Sequence, residues 1–295
     1  MTGSRVVVVG DVVNDIVVVP RTEIRPDTDT SSTIRPRPGG SAANTAAWLG
    51  ALGASVDFIG AVGSADAAAH DTVFRDHGVV PHLQIEPGLP TGTIVIIVEG
   101  EQRTMLTERG ANAALMPASV TDQLLASAGL LHISGYSILD GFGAKGARDL
   151  IARATAAGVA VSVNPGSVGY LADFGVAPFL DAIAGATIVF PNLAEGRLLT
   201  GEQDPGRVAA ALNVSFPLVV LTLGAAGVLV AERGKKAVTV PAPTVRIVDP
   251  TGAGDALTAG FLDRWVATRD AVAAAESGVF VAARAIMLIG GRPPV

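Results

Sequence analysis

The chain has 295 residues, 49% apolar and 16% charged, with a formal net charge of -6, a composition that fits a compact protein of one large or two unequal domains and excludes a disordered chain. Its only three lysines are Lys145, Lys235 and Lys236, so it has no basic stripe for a nucleic-acid backbone. No apolar run reaches the ~18 residues of a membrane span, "MTGSRVVVVGD" meets Asp11 too early for a signal peptide, and zero cysteines exclude disulfides and thiol chemistry; a cytoplasmic protein with neither nucleic-acid nor membrane partners is expected.

Along the chain, the short β-branched runs "RVVVVGD", "VDFIGAVG", "GLLHISG", "GVAVSVNP", "ATIVFPN", "PLVVLTLG" and "KAVTVPA" alternate with alanine-rich stretches such as "TAAWLGALGA" and "AKGARDLIARATAAG". Continuous apolar strands suit a mostly parallel sheet buried on both faces, and the helical stretches supply its crossovers. An α/β fold of three layers, α/β/α, follows. Residues 16–38 and 82–108 break the alternation with strand patterns such as "IVVVP", "GTIVIIVEG" and "RTMLTE", separated by Pro, Gly, Asp and Thr. They read as a discontinuous β lid over a catalytic domain of residues 1–15, 39–81 and 109–295, or more plainly as two long surface hairpins.

The chemistry concentrates in "VDPTGAGDALTAGF". After the strand-like "TVRIV", the backbone of Gly252, Ala253 and Gly254 can form a nest of N–H groups, and a helix starting near Asp255 points its positive end at the same place. A phosphate fits such an anion hole because glycine lets it approach the backbone. Asp255 beside it would accept a proton from a hydroxyl attacking that phosphate, or would simply cap the helix. A second cluster, "RPGGSAANTAAWLGALG", sets Gly39 and Gly40 before a helix whose first turn carries Ser41 and Asn44, and "GDVVNDIVV" adds Asp11 and Asp15 at the end of the first strand. These amides and carboxylates suit a polyol such as a carbohydrate, although a glycine turn with a helix cap, and a solvated Asp11, explain the same residues.

"GGSAANTAAWLGALG", "RGANAAL", "PNLAE" and "DPTGAGDALTAGF" occur in the order in which similar motifs occur in the ribokinase-like (PfkB) carbohydrate kinases, which the chain resembles over essentially its whole length. The resemblance implies a ribokinase-like fold and ATP-dependent phosphorylation of a sugar hydroxyl, with Asp255 as base and Gly252, Ala253 and Gly254 holding the transferring group. It further implies Mg²⁺ held through water by Asn192 and Glu195, which could equally be a capping pair, and a nucleotide turn at Thr222, Gly224 and Gly227, with Asn164 on the phosphate side. Many relatives hold a monovalent cation; the resemblance would place Asp249, Thr251, Ala285, Leu288 and Gly290 around K⁺, with Pro294 where a serine oxygen is usual, so weak activation is expected. The lid would be the surface through which a homodimer forms.

Departures narrow the substrate. Ser41 stands where ribokinases proper carry lysine, and "HISGYSIL" lacks their acidic residue, so ribose is not the default. Tyr136 could stack on a small-molecule substrate, and Arg103 and Arg109 could meet an acidic or phosphorylated sugar, with a surface ion pair to Glu101 or Glu108 as the plainer fate. A nucleoside kinase and a non-catalytic sugar- or nucleotide-binding regulator are the alternatives. A dinucleotide enzyme or P-loop NTPase lacks its glycine motif, and His70, His77, His82 and His132 show no triad or metal spacing.

Overall fold

The computed structural model describes residues 5–99 and 102–295. Among them the large sheet contains β1 (Val6–Val9), β4 (Val56–Gly63), β5 (Val79–Glu86), β8 (Leu130–Ser134), β9 (Ala160–Asn164), β10 (Ile188–Val189), β11 (Leu218–Thr222), β12 (Val228–Glu232) and β13 (Val238–Val240). Their order is β13-β12-β11-β10-β9-β8-β1-β4-β5. The six pairings from β11 to β5 are parallel, and only β11–β12 and β12–β13 are antiparallel.

The continuous apolar strands follow from burial on both faces. In β1, Val7 and Val9 enter one core with Leu131, Ile133, Val161 and Val163, under the helix Gly143–Ala156. Val6 and Val8 enter the other, with Trp48, Phe261 and Trp265 from the helices Ser41–Ala51 and Ala253–Thr268. Successive side chains point to opposite faces, and here both faces are dry.

The small sheet contains β2 (Val13–Pro20), β3 (Ser32–Gly39), β6 (Gly92–Glu99) and β7 (Gln102–Glu108), ordered β3-β2-β6-β7. Two boundaries differ from the sequence expectation. β2 begins at Val13, so Asp15 stands on a strand of the small sheet, opposite Arg37 and Ile94. His82–Glu86, expected in the lid, pair in parallel with β4 as part of β5. An edge strand with one exposed face alternates like a lid strand and tolerates Pro81, so the pattern could not tell them apart. Thr244–Val248, which reads as strand, is irregular.

Polar residues gather where the parallel strands end. β1 is flanked by β4 on one side and β8 on the other, so the chain winds outward in both directions from it. A crevice at the carboxyl ends of the strands opens at such a switch point.

Candidate active site

A cavity of about 560 Å³ occupies that crevice, lined by Asp11, Asp15, Gly40, Ser41 and Asn44 on one side and by Thr251, Gly252, Gly254 and Asp255 on the other. Ile94, Ile96, Arg103, Met105 and Thr107 of the small sheet face it, and Tyr136, Asn164, Asn192, Glu195 and Thr222 reach it from the strand ends. The two distant glycine motifs, the second of them the C-terminal signature, therefore share one space with the small sheet.

The helix Ala253–Thr268 starts at Gly252, whose φ of 75° is left-handed. A Cβ there would lie 2.6 Å from the Gly291 Cα, so a side chain is excluded twice over. Ala256 N donates to Gly252 O as the first helical bond, which leaves the N–H groups of Gly252, Gly254 and Asp255 outside the ladder at the positive end of the helix. Gly254 has ordinary φ, and a Cβ there would meet nothing within 4 Å. The nest opens onto empty space.

Asp255 lies in the first turn but does not cap its own helix. Its Oδ1 accepts from Ser41 Oγ at 2.7 Å and its Oδ2 from Asn44 Nδ2 at 2.9 Å. Both side chains, read in the sequence as polyol ligands, are thus turned toward the carboxylate. Burial raises the Asp255 pKa to about 7 against these two bonds, and the charges of Asp11 and Asp15 push the same way.

The first glycine pair serves packing. A Cβ on Gly39 would overlap the Asp15 carboxylate, and one on Gly40, at φ 101°, would sit 2.5 Å from Asp11 O. Asp11 is buried: its Oδ2 accepts from Ser41 N at 2.7 Å and its Oδ1 from Ser134 Oγ at 2.7 Å. It holds the positive start of the helix Ser41–Ala51 from outside, a stronger tie than loop solvation. Asp15 is only 8% exposed, and burial raises its pKa to about 7 while Arg292 opposes the rise.

At the strand ends, Asn192 and Glu195 form a capping box: Glu195 N donates to Asn192 Oδ1 and Asn192 N to Glu195 Oε2, both at 2.9 Å. The second Glu195 oxygen is not part of that box. The carboxyl is buried, and burial lifts its pKa to about 7 against the bonds from Asn192. No group of three or more metal-binding side chains occurs among the described residues. A lone carboxylate of this kind suits Mg²⁺, which keeps most of its waters and takes phosphate oxygens. Gly224 and Gly227 do not line the cavity; at Gly227 a Cβ would overlap the carbonyl of Val240, so that glycine makes room for β13.

Arg103 spans from β7 to the signature loop, with Nη2 on Asp249 Oδ1 and Nη1 on Thr251 Oγ1, each at 3.0 Å. Asp249 also accepts from Thr251 N and Oγ1 and from Gly290 N. Burial alone would raise its pKa, but these bonds and the Arg103 charge lower it. The Ala285 carbonyl accepts from Leu288 N. A guanidinium and an inward N–H do not fit a monovalent-cation site at Asp249. Arg109 pairs with Asp140 and lies over the Tyr136 ring at 5.1 Å. Tyr136 meets Tyr170 edge to face at 5.9 Å; burial, together with nearby carboxylates, raises its phenol pKa, so it stays a neutral donor. No histidine lines the cavity.

Two further residues, Tyr170 and Arg292, belong to the site without a mark in the sequence. Tyr170 lies in the helix Val168–Phe174 and lines the cavity, but a single aromatic in "SVGYLADF" carries no signal. Arg292 is buried behind Asn44, and nothing in "GGRPPV" marks it.

A mostly parallel sheet between helical layers, with a small mixed sheet across its switch-point crevice, defines a ribokinase-like fold. The model of the "pfkB family carbohydrate kinase" family matches residues 4–295, and the chain belongs to that family. It is 27% identical over 246 residues to an uncharacterized sugar kinase of Archaeoglobus fulgidus, covering 83% of this chain and 96% of that protein. It is 32% identical over 304 residues to the bifunctional protein HldE of Alcanivorax borkumensis, matching 95% of this chain and 60% of that longer protein. The solved adenosine kinase from Sinorhizobium meliloti superposes with a TM-score of 0.87 at 28% identity, over 98% of this chain and 96% of that one. No helix among the described residues is long and apolar enough to cross a membrane.

Proposed function

We propose that the protein transfers the terminal phosphoryl group of ATP to a hydroxyl of a sugar or sugar derivative, with Asp255 as general base. One observation carries this reading: a buried carboxylate, gripped by Ser41 and Asn44, stands beside an open helix start on which a side chain at Gly254 would meet nothing. The acceptor hydroxyl gives its proton to an Asp255 oxygen as its own oxygen bonds to phosphorus, and the bond to the departing ADP oxygen breaks. The N–H groups of Gly252, Gly254 and Asp255 face the charge on the transferring group, while Ala253 N donates to Pro250 O and closes the turn. Glu195 and Asn192 would hold Mg²⁺ through water, and the ion would neutralise phosphate oxygens. Asp15, with its carboxylate in the cavity wall, receives the other substrate hydroxyls. Thr222 and Asn164 are assigned to the nucleotide side, with Gly224 and Gly227 shaping the turn rather than touching it.

The paired Tyr136 and Tyr170, facing Ile94, Ile96 and Met105 across the cavity, favour one second reading: a nucleoside, whose base would lie against this wall. Exposed Ile34 and Leu106 on the small sheet support its use as a dimer surface. The test is ADP release from a panel of sugars, sugar acids, sugar phosphates and nucleosides. Turnover with a nucleoside alone would select the second reading, and none with any acceptor would overturn both.

A further inference from the structure

The C-terminal tail builds a part of the site that its residue types do not announce. After the helix Ala271–Ala285 the chain turns through Gly290 and Gly291 and runs beside the helix Ser41–Ala51. Trp48 Nε1 donates to Gly291 O at 2.9 Å, and the His77 ring lies 2.9 Å from Pro293 O. A Cβ on Gly291 would overlap the Asn44 amide, so the tail approaches Asn44 as closely as backbone can. These ties deliver Arg292 into the protein, where it is 7% exposed.

Its guanidinium is tied to this corner through Nε and Nη2, while the buried Nη1 has no hydrogen-bond partner among the described residues. Nη2 donates to Gly39 O at 2.8 Å, Nε to Asn44 Oδ1 at 3.3 Å, and the group lies 5.1 Å from the centre of the Phe74 ring. Arginine only donates, whereas an asparagine amide has one accepting and one donating end. With Oδ1 held by Arg292, the Nδ2 end of Asn44 must face the other way, where it donates to Asp255 Oδ2 at 2.9 Å. A flipped amide would set its oxygen against a carboxylate oxygen and its NH₂ against a guanidinium, two repulsions for two bonds.

We propose that Arg292 is a positioning residue that fixes the amide of Asn44, and through it the base Asp255; this rests on the assignment of Asp255 as base. Arg292 is not part of the cavity lining. Its hydrogen bond reaches Asp255 through Asn44, while its charge also acts on Asp15 and Asp255 whatever the amide does, and Arg292→Lys separates the two. The charged or titratable groups around Asp255 are Asp11 beside β1, Asp15 on the small sheet, Tyr136 after β8 and Arg292 itself. Loss of the Asn44 donor removes a bond that favours the Asp255 anion. Proton acceptance then fails at a higher pH than in the wild type.

The test is kcat against pH, with ATP and the best acceptor of the panel, for the wild type, Arg292→Met, Asn44→Ala and the double variant, each checked by thermal melting. A bond to a charged group predicts a ~10–100-fold fall in kcat for Arg292→Met, with the acid limb moved up and the KM for ATP within about threefold. The double variant should match Asn44→Ala within about threefold in kcat and share its limb. Arg292→Lys keeps the buried charge but cannot span both acceptors, so it tests the same point if Arg292→Met does not fold: its limb should also move up. Wild-type kcat and limb in Arg292→Met, additive losses in the double variant, or an unmoved limb in Arg292→Lys would overturn the proposal. If Asp255→Asn is itself active, the assignment of the base has failed; if Asp255→Asn is inactive and Arg292→Met is normal, only the role of Arg292 has failed.

Discussion

The two glycine-led helix starts that meet in the cavity use the same residue for opposite ends. At Gly39-Gly40, the absent side chains are replaced by protein: the Asp15 carboxylate fills the space over Gly39 and the Asp11 backbone that over Gly40. At Gly254 nothing fills it. The first pair lets two chain segments close on each other and seats the carboxylates, whereas Gly254 keeps a space clear at the positive end of a helix. Gly252 belongs with the first kind, since the tail glycine Gly291 packs where its Cβ would be. Glycine at a helix start thus carries two meanings, and only the neighbours across the fold separate them.

That contrast can be broken by substitution. Gly40→Ala should be the most damaging, because φ 101° and a Cβ 2.5 Å from Asp11 O cannot both be relieved without moving the loop. We expect a loss of about 3 kcal/mol or more, read from urea unfolding; a loss below about 1 kcal/mol would show that the close approach is not needed. Gly254→Val should behave oppositely: unfolding changes by less than about 1 kcal/mol, since the side chain enters open space at ordinary φ, while kcat falls ~10²-fold as it fills the room for the phosphoryl group. A folded, fully active Gly254→Val variant would refute the nest.

Asp15→Ala should raise the KM for the acceptor by about 10–100-fold and leave that for ATP nearly unchanged, as lost bonds to substrate hydroxyls would. An effect confined to ATP would exchange the roles of the two glycine loops. The smallest effect concerns potassium. With Asp249 already held by Arg103, Thr251 and Gly290, K⁺ should change the rate by less than about tenfold, or ~1.4 kcal/mol, relative to a large organic cation at equal ionic strength. Activation of a hundredfold would mean that Arg103 leaves Asp249 during turnover.

Much of the fold was legible because a strand dry on both faces must be apolar at every position, as in Val6–Val9. The edge strand β5 was not, because one exposed face gives it the alternation of a lid strand. Asp255 and the glycines around it were legible from residue type and order. Their partners were less so. Ser41 and Asn44 were marked as site residues, but only the fold turns them to Asp255 across more than 200 residues of chain. Arg292 reaches Gly39 over a sequence separation of 253, and "GGRPPV" on its own reads as an ordinary tail. Local pattern reports what a segment needs to bury, not which distant segment comes to meet it.

In the proposed reaction Asp255 takes the hydroxyl proton. Its pKa is raised to about 7 by burial, and the ionised form is the one that accepts a proton, so kcat should fall as pH drops through about 7. The decisive measurement is kcat for Asp255→Asn beside the wild type across that range. We expect a loss of ~10²–10⁴-fold at pH 8, without the acid limb near 7, in a folded protein that still binds ATP. An Asp255→Asn variant with more than half of the wild-type kcat would contradict it.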